Sequence, residues 1–225
     1  MTEILRVNSV IFNLKKISQV GLVVRDIEKS MKYYWEELGI GPWNIWTYAS
    51  PTTTETTYYG KPVDHKFIGA ETMVGDLNVE LIQHLEGKTI YKEFLDKKGE
   101  GVHHVAYVTN DIDDALNRFK KMGIDVIQSG KVKNDGYYYL DTESRYGIIV
   151  EFYTNHGFIP AERTYPPGST SGNFLRTGGL TAGERSLPHT GLGDRASGRV
   201  ILPDWQVTPR GAVPFAPTPP VPPGH

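Results

Sequence analysis

The sequence QVGLVVRDIEKSMKYYWEELGI, residues 19–40, has a second version later in the chain, HVAYVTNDIDDALNRFKKMGI, residues 104–124. The two stretches align at a constant offset of 85 residues, with Asp26 above Asp111, and slip by one residue just before the closing Gly-Ile pair. Internal similarity of this kind indicates a duplicated structural unit. We therefore expect two related modules.

Each copy has the pattern of a short β-branched strand followed by an amphipathic helix. Apolar residues recur at helical spacing after each aspartate. They are Met31, Tyr34, Trp35 and Leu38 in the first copy and Ala115, Leu116, Phe119 and Met122 in the second. Asp26 and Asp111 stand where an N-cap belongs, and Gly39 and Gly123 stand where a C′ glycine belongs.

Strand-like stretches follow each helix and end in an apolar segment that contains one glutamate, LNVELIQ with Glu80 and GIIVEFY with Glu151. This order predicts an α+β fold of two tandem βαβββ modules, about 15–85 and 101–155, which form a curved mixed sheet. Together they make one domain over residues 1–156.

The first module is longer than the second, with 61 residues from Gln19 to Glu80 against 47 from His104 to Glu151. The surplus falls in the aromatic and polar stretch WNIWTYASPTTTETTYYGKPVDHK, which we expect to form a loop over a pocket. Its aromatic residues are candidates for substrate binding, with core packing under the loop as the alternative. The stretch contains Trp43, Trp46, Tyr48, Tyr58 and Tyr59, and the candidates chosen among them are Trp43, Trp46, Tyr58 and Tyr59.

Composition narrows the functional classes. The net charge is only −2, without a long block of like charge, which argues against nucleic acid as a partner. The chain has no cysteine, so a metal ion would have to be held by His, Glu, Asp or Gln. The first residues lack the apolar core of a signal peptide, and no window is long enough to span a membrane, so we expect a cytoplasmic protein.

The composition changes near residue 157. Of the fifteen prolines, twelve lie at or after Pro160, and this part shows neither helical nor strand periodicity. We therefore predict a Pro/Gly-rich, largely irregular tail over 157–225, in which no recognisable chemistry is present.

Polar residues interrupt apolar strand faces at four positions that the repeat relates to one another. They are Gln19 and His104 in the first strands and Glu80 and Glu151 in the last strands. Each has an ordinary explanation when taken alone, such as an edge-strand glutamate or a hydrogen-bonded core histidine. Because a buried carboxylate needs a partner, the symmetry favours a divalent cation ringed by all four.

Three neighbouring polar residues are weaker candidates. His103 is expected to point to the face opposite His104, and Gln83 to the face opposite Glu80. His84 falls where its strand should end. We rank Gln83 and His84 as second choices for ligands.

Residues 79–124, VELIQHLEGKTIYKEFLDKKGEGVHHVAYVTNDIDDALNRFKKMGI, resemble the corresponding part of methylmalonyl-CoA epimerases, which also carry a Gly-X-His-His element. Over 15–155 the chain resembles the vicinal oxygen chelate superfamily, which includes glyoxalase I, extradiol dioxygenases and antibiotic-resistance proteins. The resemblance implies metal ligands from the first and last strands of each module, which here are Gln19, Glu80, His104 and Glu151. It also implies one divalent ion (Zn, Co, Ni or Mn) and a homodimer.

The resemblance implies a proton-transfer reaction on a small-molecule substrate. The metal would chelate a carbonyl or thioester, and Glu151 or Glu80 would move the adjacent proton. The sequence around His104 favours an epimerase or isomerase. Gln19, which stands where epimerases usually have histidine, is similar to eukaryotic glyoxalase I and favours a glyoxalase-type lyase.

Two other functions are alternatives. One is a non-catalytic small-molecule-binding protein of the resistance type, which generally lacks the four polar positions. The other is an extradiol-type dioxygenase, which needs two histidines and one carboxylate and is disfavoured by Gln19.

Overall fold

The computed structural model describes Leu14, residues 16–154 and residues 160–169. Within these residues eleven strands form one mixed sheet. The strands are β1 (Gln19–Val23), β2 (Trp43–Tyr48), β3 (Thr53–Tyr58), β4 (Lys61–Pro62), β5 (His65–Val74), β6 (Leu77–Gly87), β7 (Gly101–Val108), β8 (Val126–Val132), β9 (Asp135–Leu140), β10 (Ile149–Tyr153) and β11 (Arg163–Tyr165). The helices are α1 (Ile27–Leu38), α2 (Ile90–Lys98), α3 (Ile112–Lys121) and α4 (Glu143–Tyr146). None of the helices in these residues has the length and apolar character of a membrane span.

Two βαβββ modules build the sheet, which confirms the α+β fold expected from the repeat. Module one consists of β1, α1, β2, β5 and β6, and module two of β7, α3, β8, β9 and β10. In each module the first strand pairs in parallel with the last, and β1 pairs antiparallel with β7. The central order is therefore β6-β1-β7-β10, which makes neighbours of the four strands that carry the predicted ligands.

The ends of the two main helices match the sequence pattern. The carboxylates of Asp26 and Asp111 each accept a hydrogen bond of 3.0 Å from the backbone N–H three residues later. Gly39 and Gly123 have φ angles of 66° and 73°, the left-handed conformation that glycine adopts without steric cost. The predicted start and stop signals of both helices are confirmed.

The two faces of the sheet have different neighbours. The face that we call outer is covered by α1 and α3, whose buried residues include Met31 and Phe119. Leu38 departs from the predicted stripe and is 65 % exposed. The opposite face, which we call inner, carries an apolar cluster that includes Val23 and Tyr153. Strand alternation places Gln19, four residues before Val23, and Glu151, two residues before Tyr153, on this inner face.

The surplus segment of module one is not the predicted loop. It forms β2, β3, β4 and the start of β5, and β3 pairs antiparallel with β8 of module two. Its threonine-rich sequence TTETTY favours the pleated conformation. Only residues 49–52 separate β2 from β3, a reach of about 18 Å at most. Because β2 and β8 are the outer strands of their modules, the sheet must curl until these two edges approach each other.

Part of the segment predicted to be an irregular tail also joins the sheet. β11 pairs antiparallel with β2, and the Glu162 carboxylate accepts hydrogen bonds from Thr47 N (3.1 Å) and Thr47 Oγ1 (2.9 Å). This strand covers an edge that β2 would otherwise leave open. The rest of the predicted tail, residues 157–159 and 170–225, lies outside the described residues.

Candidate metal centre and pocket

The four predicted ligand residues lie on adjacent strands and are all buried. Nε2 of His104 is 3.1 Å from Oε2 of Glu151 and 3.6 Å from Oε2 of Glu80. Gln19 lines the same pocket as the two glutamates. The structure thus brings three of the four side chains close together and places the fourth in the pocket that Glu80 and Glu151 line.

A glycine makes this arrangement possible. Gly21 of β1 is the Cα partner of both Glu80 and His104. A Cβ built on Gly21 would overlap the His104 imidazole, at 2.5 Å from Nδ1 and closer still to Cε1 and Nε2. The imidazole therefore occupies the space that the side chain of any other residue at position 21 would fill.

The donor atoms of these residues suit a divalent cation. Nε2 of His104 and Oε2 of Glu151 are buried, and neither makes a hydrogen bond within the described residues although they are 3.1 Å apart. Buried polar atoms without partners are costly, and a cation would satisfy both. Across the described ranges, however, no three His, Asp or Glu side chains form a ready-made metal cluster.

A pocket with about 470 Å³ of empty space, part of it open to solvent, borders these residues. Its aromatic lining consists of Tyr48, Phe67, Tyr91, Tyr137 and Tyr139. Burial raises the pKa of Tyr137 and of Tyr139 above the usual phenol value, and the nearby Glu151 charge raises both further. These phenols remain protonated at neutral pH and can donate hydrogen bonds.

The four residues predicted to bind substrate are not among those that line this pocket. Trp43 is fully buried on the outer face. Its ring meets that of Tyr34 edge-on, with the two ring centroids 5.8 Å apart. Trp46 packs against the inner-face cluster and donates from Nε1 to the Pro160 carbonyl (3.0 Å). The alternative of core packing describes these two tryptophans.

The two predicted tyrosines lie at the end of β3. The Tyr58 ring packs against the inner-face cluster, and its hydroxyl donates to the Glu93 carboxylate (2.5 Å). Tyr59 is 51 % exposed and contacts the Tyr58 ring edge-on. The pocket is lined instead by Tyr48 and Phe67, whose rings stack with their centroids 4.5 Å apart.

Sequence reasoning missed a third buried glutamate beside the site. Glu71 of β5 is fully buried and pairs with Glu80 in the β5–β6 register. Its carboxylate accepts hydrogen bonds from Asn78 Nδ2 (2.7 Å) and from the Tyr48 hydroxyl (3.4 Å). Asn78 in turn is the Cα partner of Gln19.

The signal for Glu71 was present but incomplete. Glu71 interrupts the apolar strand HKFIGAETMV as Glu80 interrupts its own strand. It has no acidic counterpart in module two, where Tyr139 is the residue opposite Glu151. A search restricted to repeat-related polar residues therefore passes over it.

The prediction that His103 points away from His104 is wrong. The β1–β7 register shifts after Gly21, so that His104 pairs with Gly21 but Val102 pairs with Leu22, and His103 is the extra residue of a bulge. Its ring contacts Tyr139, as that of His104 does. The two Nδ1 atoms are 3.0 Å apart. Burial, together with the neighbouring His104, lowers the pKa of His103 well below its usual value.

The two second-choice residues have structural partners. Gln83 faces away from the site, as expected, and its Oε1 accepts a hydrogen bond from the backbone N–H of Ile27 (2.8 Å) at the start of α1. Nδ1 of His84 lies 2.9 Å from the hydroxyl of Thr89, the N-cap of α2. Both residues connect a strand to a helix.

Comparison with protein families gives a match over residues 18–140 to the Glyoxalase/Bleomycin resistance protein/Dioxygenase superfamily. The chain belongs to this superfamily. The match covers β1 to β9 and therefore includes three of the four predicted ligands, Gln19, Glu80 and His104. The resemblance stated from the sequence is confirmed at this level.

Among curated proteins, two relatives of this superfamily member come from Bacillus subtilis (strain 168). The uncharacterized protein YwbC is 29% identical over 140 residues, which span 62% of this chain and 97% of YwbC. The uncharacterized protein YqjC is 24% identical over 114 residues, which span 51% of this chain and 71% of YqjC.

Similar solved structures include the hypothetical protein BH1468 from Bacillus halodurans C-125, with a TM-score of 0.46 and 20% identity. The match covers 64% of this chain and 96% of BH1468. Methylmalonyl-CoA epimerase from Mycobacterium tuberculosis matches with a TM-score of 0.48 and 17% identity, over 64% of this chain and 90% of the epimerase.

Proposed function

We propose that this protein is a divalent-metal-dependent enzyme that moves a proton next to a carbonyl or thioester group of a small molecule. The outcome would be epimerisation or isomerisation, or a glyoxalase-type lyase reaction. Superfamily membership supports the general class. The observation that carries the proposal is the convergence of two buried carboxylates, Glu80 and Glu151, on Nε2 of His104 at the wall of a pocket.

The proposed ligands are Gln19, Glu80, His104 and Glu151. Their donor atoms are one amide oxygen, one imidazole nitrogen and two carboxylates, a set that suits zinc, cobalt, nickel or manganese. A divalent cation held there would act as a Lewis acid toward substrate oxygens.

The proton itself is moved by the protein. Glu151 is the proposed base, because its carboxylate is buried at the pocket and has two oxygens, so that one can accept a proton while the other serves as a ligand. Glu80 lies on the other side of the central β1–β7 pair, and its proposed role is to exchange a proton from a second direction. Two carboxylates in this arrangement permit either epimerisation or transfer to a neighbouring carbon.

The pocket residues support the same chemistry. Loss of a proton next to a carbonyl leaves negative charge on oxygen, and hydrogen-bond donors in a water-poor site stabilise such charge. Tyr137 and Tyr139 remain protonated at neutral pH and are candidates for this role. Their rings also provide apolar surface for the rest of a small molecule.

The test uses the full chain, stripped of metal with a chelator and reloaded separately with Zn²⁺, Co²⁺, Ni²⁺ or Mn²⁺. Bound metal is measured by mass spectrometry, and solvent deuterium incorporation into candidate thioesters and α-hydroxyketones is followed by NMR. Glu151→Gln should lower the rate of exchange at least about 100-fold, which is the lower range for loss of a general base.

Glu86→Gln is the matched control, because it makes the same substitution on an exposed side chain. Among the described salt bridges, Glu86 pairs only with Lys66. It should leave exchange unchanged. Unaltered exchange in Glu151→Gln would refute the assignment of the base. A wild-type protein without bound metal would favour the non-catalytic alternative, and bound iron with oxygen uptake would favour the dioxygenase. That the protein forms a homodimer, and that it is located in the cytoplasm, stay predictions.

A further inference from the structure

His103 is held in place by a bulge in β7. His103 has no Cα partner in β1, because Gly21 pairs with His104 and the next residue, Leu22, pairs with Val102. Bulges redirect side chains, and this one brings two consecutive histidines against the same tyrosine ring. His103 is almost completely buried.

The contact between the two histidines constrains their protons. Their Nδ1 atoms are 3.0 Å apart, so one nitrogen must donate and the other must accept. A neutral imidazole carries one N–H and one bare nitrogen. If His104 donates from Nδ1, its Nε2 is bare and faces Glu80 and Glu151. If His103 donates, Nε2 of His104 carries the proton.

The surroundings of His103 favour the first arrangement. Its ring makes edge contacts with Tyr91 (5.3 Å) and Phe94 (5.2 Å), and its Nε2 is buried without a hydrogen-bond partner in the described structure. An N–H among aromatic rings makes a weak favourable contact with a π face, whereas a bare nitrogen there makes none. A proton on Nε2 of His103 requires a bare Nδ1, which is an acceptor.

A cation held at Nε2 of His104 requires the same arrangement. This nitrogen is 3.1 Å from a Glu151 oxygen, and the geometry is not that of a hydrogen bond. A protonated Nε2 would be expected to align with so close a carboxylate. A bare Nε2 has the form that a metal-binding histidine needs.

We infer that His103 is a positioning residue, whose Nδ1 accepts the Nδ1–H of His104 and so keeps Nε2 of His104 bare toward the two carboxylates. The inference rests on the proposed function for its purpose, since the bare nitrogen would serve as the ligand. Histidine ligands usually donate their second N–H to a carboxylate or a carbonyl. Here a neutral histidine takes that place, which avoids burying another negative charge beside Glu80 and Glu151.

The first test is a direct measurement of the tautomers by ¹⁵N NMR of labelled protein, both metal-free and loaded with Zn²⁺. We expect His104 to be protonated at Nδ1 and His103 at Nε2 in the two forms. A proton on Nδ1 of His103 in the loaded protein would overturn the inference. This readout does not depend on activity, and a merely structural role for His103 does not predict it.

The second test compares two variants of similar size. His103→Asn keeps an acceptor near the δ position, whereas His103→Leu removes it. Affinity for Zn²⁺ and Co²⁺ is measured by competition with a chromophoric chelator, and thermal melting reports on folding. We expect His103→Leu to weaken binding about 10- to 100-fold, the usual effect of losing the partner of a histidine ligand, and His103→Asn to remain within about threefold of wild type.

The outcomes separate the two proposals. Equal affinities in wild type and both variants would overturn the role of His103 and leave the proposed function intact. A wild type that binds neither ion would refute the proposed function, and the tautomers of the metal-free protein would still decide which histidine donates.

Discussion

Gly21→Ala tests the geometry of the site without removing any proposed ligand. The new Cβ would overlap the His104 imidazole, so the ring must leave its position or β1 must move away from β7. Overpacking of a tight core costs about 1–3 kcal/mol, and a clash this severe belongs at the upper end. Part of this loss is offset, because alanine reduces the conformational freedom of the unfolded chain and so stabilises the protein by roughly 0.7 kcal/mol. We expect a net loss of about 2 kcal/mol.

The loss is measured by urea unfolding, and Zn²⁺ affinity is measured in parallel by chelator competition. Displacement of His104 should weaken Zn²⁺ binding by at least tenfold. Gly69→Ala is the matched comparison on the same face, where a Cβ would meet Tyr48 Cε2 at 2.9 Å and Glu80 Oε1 at 3.2 Å. Because the ring edge of Tyr48 can shift, Gly69→Ala should be the milder change.

A double-mutant cycle isolates the clash. His104→Ala empties the space above Gly21, so the alanine at position 21 should cost far less in the double variant than alone. The coupling energy should be about 2 kcal/mol in the relieving direction. A cost below about 0.5 kcal/mol for Gly21→Ala with unchanged Zn²⁺ affinity, or additive effects in the cycle, would refute the placement of the ring over Gly21.

Three further predictions concern the buried polar groups and the helix ends. Glu71→Leu should lower the free energy of unfolding by roughly 3 kcal/mol in urea, because Asn78 Nδ2 and the Tyr48 hydroxyl would both lose a buried acceptor; a loss under 1 kcal/mol would contradict this. Burial, and next the neighbouring His84, lowers the pKa of His65 below 6.5, so the unfolded chain takes up the proton first and stability should fall as the pH drops from 6.5. Unfolding curves between pH 5 and pH 7 should show a shallower fall for His65→Gln, and parallel slopes would count against it. Asp111→Ala should cost about 1 kcal/mol by removing the N-cap of α3, with thermal melting as the check.

Much of the architecture could be predicted from local sequence. Residues 19–40 and 104–124 repeat one pattern, and their caps at Asp26 and Asp111 form as expected. The paired glutamates Glu80 and Glu151 stood out because each interrupts an apolar strand at an equivalent place. Such features can be recognised in the sequence because strand alternation, helix periodicity and capping depend on residues that are close together in the chain.

Other features depend on partners that are distant in sequence. The pairing of β3 with β8 turned an expected loop into part of the curled sheet, and no local pattern in Thr53–Tyr58 specifies that partner. The bulge at His103 moved that ring to the side of His104, because register is set between two strands and not within one.

The sequence by itself determined the duplicated modules, their order and the four polar positions, since each follows from short-range periodicity that the repeat displays twice. Only the tertiary structure decided which atoms meet: the ring of His104 above Gly21, the Nδ1 contact with His103, and the buried carboxylate of Glu71 beside Asn78. The physical reason is that hydrogen bonds and packing act over a few ångströms in space, and pairing of the strands brings together residues that are far apart along the chain.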